Sequence, residues 1–449
     1  MATASAPPEG DVMRRTLSTI CVLFATLLLS PISVGAEDYR YPYRDPYLAT
    51  ATSAILNADR VSPRLLRQVV HVPGLPGRSR LPGLEGRDSL SVALYRQNHP
   101  APLVFILCGI GTNTYFGPAT YYANLFHHAG SHVVILPSPM SWNFALASSR
   151  TAAPGYALDD ARDLYDAMQT ILSLLRSRYA MKISEVTFLG TSLGALEGAY
   201  LSVIDTERRR IGISKYLLVN PPLDLGQALA KVDAWYALGA KFGAERSERI
   251  VARALAIVDA FSKDRRDDPT IFASVVRDFA GFTREELQFL IAADLQAGLP
   301  DLVYVTRAVQ ARAPGAAAGY QVRRRLEDAR QVTLARYLED IALPIWRRQA
   351  AEPRADLATF LRRGSLASIL DRLRSNANVR IIHNADDFLS DRSSIEELKD
   401  VLGDQMTLYP YGGHLGNLWY AANRESVLRF FQTTTARATT STEEVRRSR

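Results

Sequence analysis

The stretch Gly190-Thr191-Ser192-Leu193-Gly194 carries more information about the fold than any other part of this sequence. It follows an apolar run, Val186–Leu189, which has the length typical of a buried strand. It precedes a helical pattern over Ala195–Ile204. The segment therefore predicts a strand, a sharp turn and a helix, with Ser192 at the tip of the turn.

There is a physical reason for glycine at positions 190 and 194 of this turn. A side chain presented at the tip of a sharp turn leaves no room for side chains two residues away on either side. The free N–H groups at the start of the following helix point toward any anion that forms beside the serine. The pattern favours a nucleophilic Ser192, and the alternative is an ordinary strand–turn–helix connection with an idle serine.

Short apolar runs alternate with helical patterns on both sides of this turn, over residues 89–225. This alternation predicts an α/β fold, with a mainly parallel sheet covered by helices on both faces. Residues 226–374 are almost entirely helical in pattern, and the strand–helix alternation resumes over residues 375–432. The expected organisation is one sheet domain split by a helical insertion.

The two ends of the chain differ from this pattern. Residues 1–36 are predicted to be an export signal, because Arg14 and Arg15 precede a short apolar run and Val34-Gly35-Ala36 offers a cleavage site before Glu37. The chain would then be periplasmic or secreted. Residues 37–88 are interpreted as an N-terminal extension with a helical pattern over Ala49–Arg67 and a loop over Pro73–Gly86, before the regular structure that begins at Ser89. Residues 433–449 are interpreted as a disordered tail.

The apolar run of the predicted signal is too short to span a bilayer comfortably. No later run reaches the length of a membrane helix by this interpretation, so no stable transmembrane segment is expected after the signal is removed.

Composition and charge narrow the classes of partner. The net charge of +7 comes from 53 Lys and Arg against 46 Asp and Glu spread along the chain, which is not the concentrated basic surface of a nucleic-acid-binding protein.

Cys21 lies in the predicted signal, so Cys108 is left alone and no internal disulfide is expected. No cluster has zinc spacing and no loop has the calcium pattern, so neither a metal nor another cofactor is expected. The sequence gives no indication of the oligomeric state.

A serine hydroxyl is a weak nucleophile until a base removes its proton. Of the seven histidines, only His383 and His414 follow Ser192 in the chain. His383 lies at the end of an apolar run, whereas His414 lies in the glycine-flanked loop Tyr411-Gly-Gly-His-Leu-Gly416 after the last predicted strand. His414 is the predicted base, and the alternative is a loop histidine with a structural hydrogen bond.

Over residues 89–223 and 379–431 the chain resembles the α/β-hydrolase superfamily, in which nucleophile, acid and histidine follow one another in that order. The acid of that family follows a strand in a Gly-x-x-Asp pattern. Here the strand-like run ends in Asn384-Ala385-Asp386-Asp387, so the resemblance implies Asp387 as the acid. Because Asn384 replaces the glycine, Asp386 remains the alternative acid.

The same resemblance implies an oxyanion hole made of two backbone N–H groups. One belongs to Leu193, after the nucleophile, and the other to Ile110 in Cys108-Gly109-Ile110-Gly111. The helical insertion resembles the cap domains of such hydrolases.

The implied function is a serine hydrolase that cleaves a carboxylic ester, thioester or amide through a Ser-His-Asp triad and an acyl-enzyme. A small-molecule or lipid-like ester is the expected substrate. An acyltransferase with the same triad and a non-catalytic ligand-binding protein are the alternatives.

Overall fold

The computed structural model describes residues 39–58, 65–78, 86–110, 117–263, 277–310 and 319–432. The predicted export signal at residues 1–36 and the predicted tail at residues 433–449 lie outside this range.

One sheet of eight strands forms the centre of the protein. In chain order the strands are β1 (Gln68–Val72), β2 (Leu90–Tyr95), β3 (Ala101–Leu107), β4 (His132–Leu136), β5 (Ile183–Thr191), β6 (Lys215–Val219), β7 (Val379–Asn384) and β8 (Met406–Tyr409). Their order across the sheet is β1-β2-β4-β3-β5-β6-β7-β8. Strand β2 is antiparallel to both of its neighbours, and all other neighbouring pairs are parallel.

Helices cover both faces of the sheet. Those outside the long helical segment are α1 (Pro46–Ala58), α2 (Pro118–His128), α3 (Trp142–Ala147), α4 (Ala157–Ser177) and α5 (Leu193–Arg208), with α16 (Arg392–Leu402) and α17 (Ala421–Gln432) at the end of the chain. Strand β3 shows why the sheet is central, because Leu103 and Phe105 join one hydrophobic cluster and Val104 and Ile106 join the other. A strand that is apolar on both sides must be covered on both sides.

The chain between β6 and β7 is helical where it is described. Its α-helices are α6 (Leu225–Tyr236), α7 (Leu238–Phe242), α8 (Ala244–Lys263), α9 (Arg284–Gln296), α10 (Leu299–Gln310), α11 (Gly319–Ala329), α12 (Leu334–Tyr337), α13 (Leu343–Gln349), α14 (Leu357–Arg363) and α15 (Leu370–Ser375). A π-helical turn over Leu338–Ala342 separates α12 from α13. Leucines and aromatic residues of this segment join the cluster on one face of the sheet, so the segment packs directly on the sheet domain.

One described stretch, Arg284–Gln310, is long and apolar enough to cross a membrane by length and composition. Sequence analysis expected no such stretch beyond the export signal. In the structure the most apolar part of this stretch is 56% buried inside the protein, as the helices of a protein core are.

Within residues 37–88 a helix was expected over Ala49–Arg67, and α1 overlaps the first part of that range, but strand β1 was not predicted. Helix α1 starts at Pro46, and β1 pairs with β2 at the edge of the sheet. The short strand Gln68–Val72 is followed closely by prolines and glycines, which concealed it in the sequence.

The strand order and strand directions are those of the α/β-hydrolase fold, so the predicted fold class is confirmed. Because β3 and β5 to β8 are parallel, their carboxyl ends meet at one edge of the sheet. The loops that follow β3, β5, β7 and β8 carry the candidate site residues.

Candidate active site

Ser192 lies between the end of β5 and the start of α5, in a strained backbone conformation. Its φ is 55° and its ψ is −126°, which is uncommon for a residue with a side chain. The Ser192 N–H donates to the carbonyl of Val219 at 2.9 Å, which ties the turn to the end of β6. The predicted strand–turn–helix with the serine at its tip is therefore present.

The glycines around this turn are required by close contacts. A Cβ on Gly190 would lie 2.2 Å from the carbonyl oxygen of Gly194, and one on Gly194 would lie 2.4 Å from that of Leu107. A Cβ on Gly109 would lie 2.7 Å from the Cβ of Ser192. The loop after β3 therefore lies directly against the serine.

The structure brings Ser192, His414 and Asp387 into one hydrogen-bonded chain. The Ser192 Oγ and the His414 Nε2 are 2.9 Å apart, and the His414 Nδ1 and the Asp387 Oδ2 are also 2.9 Å apart. An ionised carboxylate accepts from Nδ1–H, which leaves Nε2 free to accept the hydroxyl proton of the serine. This is the arrangement that a general base needs.

Asp387 is buried and held by several donors. Besides His414, the Asn220 amide donates to Oδ2 at 2.7 Å and the Leu389 N–H donates to Oδ1 at 3.0 Å. Burial opposes ionisation, but the neighbouring His414 and its hydrogen bond outweigh it and hold the pKa of Asp387 below its ordinary value. Asp387 is therefore an ionised acceptor for the imidazole. Sequence reasoning missed Asn220, although a polar residue directly after β6 was a usable signal.

Asp386, the alternative acid, is turned toward the backbone of the histidine's loop. It accepts the N–H of Gly413 at 2.8 Å and that of Gly412 at 3.2 Å. Burial raises the pKa of Asp386 to about 6, against the opposing effect of these two hydrogen bonds. The two adjacent carboxylates therefore contact different parts of the same loop.

The other late histidine, His383, lies inside β7 and has backbone groups as its hydrogen-bond partners. Its Nε2 is 3.2 Å from the carbonyl oxygen of Pro221, to which it donates, and burial lowers its pKa. His383 is a structural residue of the sheet.

The two residues of the predicted oxyanion hole lie next to each other. Leu193 opens α5, where backbone N–H groups have no partner within the helix. Ile110 follows Gly109, and a Cβ on Gly109 would lie 3.2 Å from the Leu193 N, so the two loops are in contact. Leu193 and Ile110 also line the same small pocket.

This pocket lies between the turn that carries Ser192 and the helical segment. Its lining residues are Ile110, Met140, Gly155, Ala157, Asp160, Leu193, Leu225, Leu229, Leu334 and Leu338. They enclose about 10 Å³, which is roughly the room for one water molecule. The pocket is apolar except for Asp160, whose Oδ2 accepts the Gly155 N–H at 2.6 Å.

A second acid, Glu197 on α5, is fully buried near Asp160. Both of its carboxyl oxygens lack a hydrogen-bond partner among the described residues. Burial, reinforced by Asp160, raises the pKa of Glu197 well above its ordinary value, and burial does the same to Asp160. Neither acid was predicted, because an acidic residue in a helix normally indicates a solvated face.

Among the described residues, no group of three or more His, Cys, Asp or Glu side chains could hold a metal ion. Cys108 is buried at the end of β3, and burial raises the pKa of its thiol to about 12.

No protein-family model and no curated protein sequence matches this chain. Among solved structures, the chain is similar to a bacterial membrane phospholipase A described as a virulence factor, at 12% identity over 94% of this chain and 98% of that one, with a TM-score of 0.39. It is also similar to an esterase of Pyrobaculum calidifontis, at 12% identity over 90% and 94% of the chains, with a TM-score of 0.38.

A third similar structure is the thioesterase domain from the curacin biosynthetic pathway, at 12% identity over 81% of this chain and 99% of that one, with a TM-score of 0.37. The fold itself is defined by the strand order and the serine turn described above.

Proposed function

We propose that this chain, which has the α/β-hydrolase fold, is a serine hydrolase that cleaves carboxylic esters through an acyl-enzyme. The observation that carries the proposal is the continuous hydrogen-bonded chain from the Ser192 Oγ through His414 to Asp387. The ionised carboxylate orients the imidazole, and the imidazole activates the serine hydroxyl, which is the nucleophile.

In this mechanism His414 Nε2 takes the hydroxyl proton as the Ser192 Oγ attacks the ester carbonyl. Asp387 stabilises the resulting imidazolium, and the N–H groups of Leu193 and Ile110 stabilise the negative oxygen of the tetrahedral intermediate. The imidazolium then gives its proton to the alkoxide as that group departs as the alcohol. The acyl group remains bound to the Ser192 Oγ as an ester. Water, deprotonated by His414, releases the carboxylic acid and restores the hydroxyl.

The pocket supports a small acyl group. Its leucines leave room for roughly one water molecule beside Leu193 and Ile110, so a long acyl chain requires displacement of the helical segment. An acetyl or propionyl group requires the least displacement, and we propose short-chain esters as the preferred substrates.

The test is hydrolysis of p-nitrophenyl esters from acetate to palmitate by the wild type, by Ser192→Ala and by Ser177→Ala. Ser177 is an exposed serine at the end of α4 and serves as the matched control. We expect turnover that falls with chain length, a loss of about 10⁴-fold or more in Ser192→Ala, and normal activity in Ser177→Ala. Equal rates for all three folded proteins contradict the proposal.

We further propose that the mature chain is exported to the periplasm or the medium. The support is the charged start, short apolar run and small-residue site within residues 1–36, which lie outside the described residues. N-terminal sequencing of the protein recovered from the envelope and the medium is expected to begin at Glu37. Full-length chain confined to the cytoplasm contradicts export.

A further inference from the structure

The loop that carries His414, residues 411–420 and here called the histidine loop, has two separate supports. One comes from the end of β7, where Asp386 accepts the N–H groups of Gly412 and Gly413, and where the Asn384 amide donates to the Gly413 carbonyl at 2.8 Å. These contacts hold the residues that precede His414. The backbone N–H of His414 itself is bonded by the second support.

The second support comes from the other end of the chain. The His414 N–H donates to the Thr50 Oγ1 at 2.9 Å, across 364 residues of sequence. The Thr50 hydroxyl itself donates to the Pro46 carbonyl at 2.8 Å, so its proton is directed away from the loop and a lone pair faces His414. Thr50 is thus a fixed acceptor for the backbone of the proposed base.

The contact between α1 and the histidine loop is close enough to exclude side chains. A Cβ on Gly413 would lie 2.2 Å from the Pro46 carbonyl oxygen and 2.7 Å from the Thr50 Oγ1. A Cβ on Gly416 would lie 2.6 Å from the Ala49 carbonyl carbon. The glycines on either side of His414 therefore allow the loop to rest on the backbone of α1.

The residues that precede α1 add further contacts. The Tyr41 hydroxyl donates to the Gly416 carbonyl at 3.0 Å, and the Asn417 amide donates to the Tyr39 hydroxyl at 2.9 Å. Tyr39 and Tyr41 are 1% and 2% exposed, so both side chains are buried against the histidine loop. The loop is enclosed by residues 39–58 on one side and by the end of β7 on the other.

We infer that Thr50, on α1, is a positioning residue for His414. The inference rests on the proposed function, because it concerns the base of that reaction. A loop released from α1 still contacts Asp386, but the imidazole no longer has a fixed distance to the Ser192 Oγ. Proton transfer requires that distance, whereas substrate binding in the leucine-lined pocket does not.

The experiment compares Thr50→Val with Thr52→Val. Both threonines lie in α1 and donate to a backbone carbonyl of their own helix, but only Thr50 also accepts from His414. Active sites are titrated with a fluorophosphonate after complete reaction, and kcat and KM for p-nitrophenyl acetate are expressed per titrated site. Melting temperatures give the structural cost of each change.

In Thr50→Val we expect kcat per titrated site to fall on the order of tenfold with KM nearly unchanged, since one hydrogen bond that fixes the base is lost. Thr50→Ser restores kcat, and Thr52→Val lowers the melting temperature without lowering kcat per site. Tyr41→Phe, which removes the bond to the Gly416 carbonyl, lowers kcat by a smaller factor and serves if Thr50→Val does not fold.

Normal kcat per titrated site in both Thr50→Val and Tyr41→Phe overturns the inference and leaves the proposed hydrolase intact. An equal loss in Thr52→Val also overturns it, because the effect is then a general weakening of α1. A wild type that neither reacts with the fluorophosphonate nor turns over esters refutes the proposed function, and the inference with it.

Discussion

On the histidine side of Ser192, the backbone N–H groups of Gly412, Gly413 and His414 all have side-chain oxygens as acceptors. The pocket that Leu193 and Ile110 share with the helical segment is instead apolar except for Asp160. Near Asp160, neither oxygen of the buried Glu197 has a partner among the described residues. Hydrogen bonds have direction and fix a distance, whereas apolar contacts are non-directional and depend on the volume that is filled. The histidine side is therefore expected to control the rate and the pocket side to control the choice of acyl group.

The largest change in rate on the histidine side is expected when the carboxylate of Asp387 is replaced. Asp387→Asn should lower kcat/KM by about 10⁴-fold, since the amide no longer stabilises the imidazolium or holds the correct tautomer. Asp386→Asn should cost no more than about tenfold, because the amide oxygen keeps one of the two backbone hydrogen bonds and only the other, about 1 kcal/mol, is lost. Steady-state kinetics on one short ester measures both. A larger loss in Asp386→Asn than in Asp387→Asn reverses the assignment of the acid.

A smaller effect is expected on the pocket side. Leu229→Ala removes part of the pocket wall contributed by α6 and should raise the ratio of kcat/KM for hexanoate to that for acetate by roughly tenfold. Leu302→Ala, a buried leucine of α10 outside the pocket lining, is the control for general loosening of the helical segment. An unchanged ratio in Leu229→Ala, or the same increase in both variants, places the acyl group elsewhere.

The smallest effect concerns stability. Because the pKa of Glu197 is raised in the folded protein, the folded state keeps a proton that the unfolded state releases above the ordinary value of 4.5. The loss of folding stability caused by Glu197 therefore grows as the pH rises above 4.5. Glu197→Gln has no such proton, so its melting temperature relative to the wild type should rise between pH 5 and pH 8 by roughly 2–4 °C. A difference that is constant with pH, measured by calorimetry, indicates that Glu197 is ionised in the folded protein.

Much of the site could be predicted because it is encoded locally. Ser192 is marked by glycines two residues away on each side, and His414 by the glycines of its loop, since both require close backbone approach. The choice between Asp386 and Asp387 could not be made from the sequence, because adjacent residues point in different directions and only the structure shows which one faces the imidazole.

The parts that could not be predicted depend on contacts between distant segments. Thr50 meets His414 only because α1 packs against the loop after β8, and nothing in the sequence near either residue marks the contact. Asp160 and Glu197 lie on helices whose patterns allow a solvated face, but both side chains are buried in the structure. Strand β1 was missed because five residues beside a Pro- and Gly-rich stretch carry too little periodicity.

The most direct measurement of the central claim is the intact mass of the protein after reaction with a fluorophosphonate, followed by identification of the modified peptide. We expect the wild type to form one adduct per chain, on Ser192, and Ser192→Ala to form none. In His414→Ala the adduct should form more slowly by about 10³-fold or more. Folded wild type without an adduct, or labelling at equal rates in the wild type and His414→Ala, contradicts a serine activated by His414.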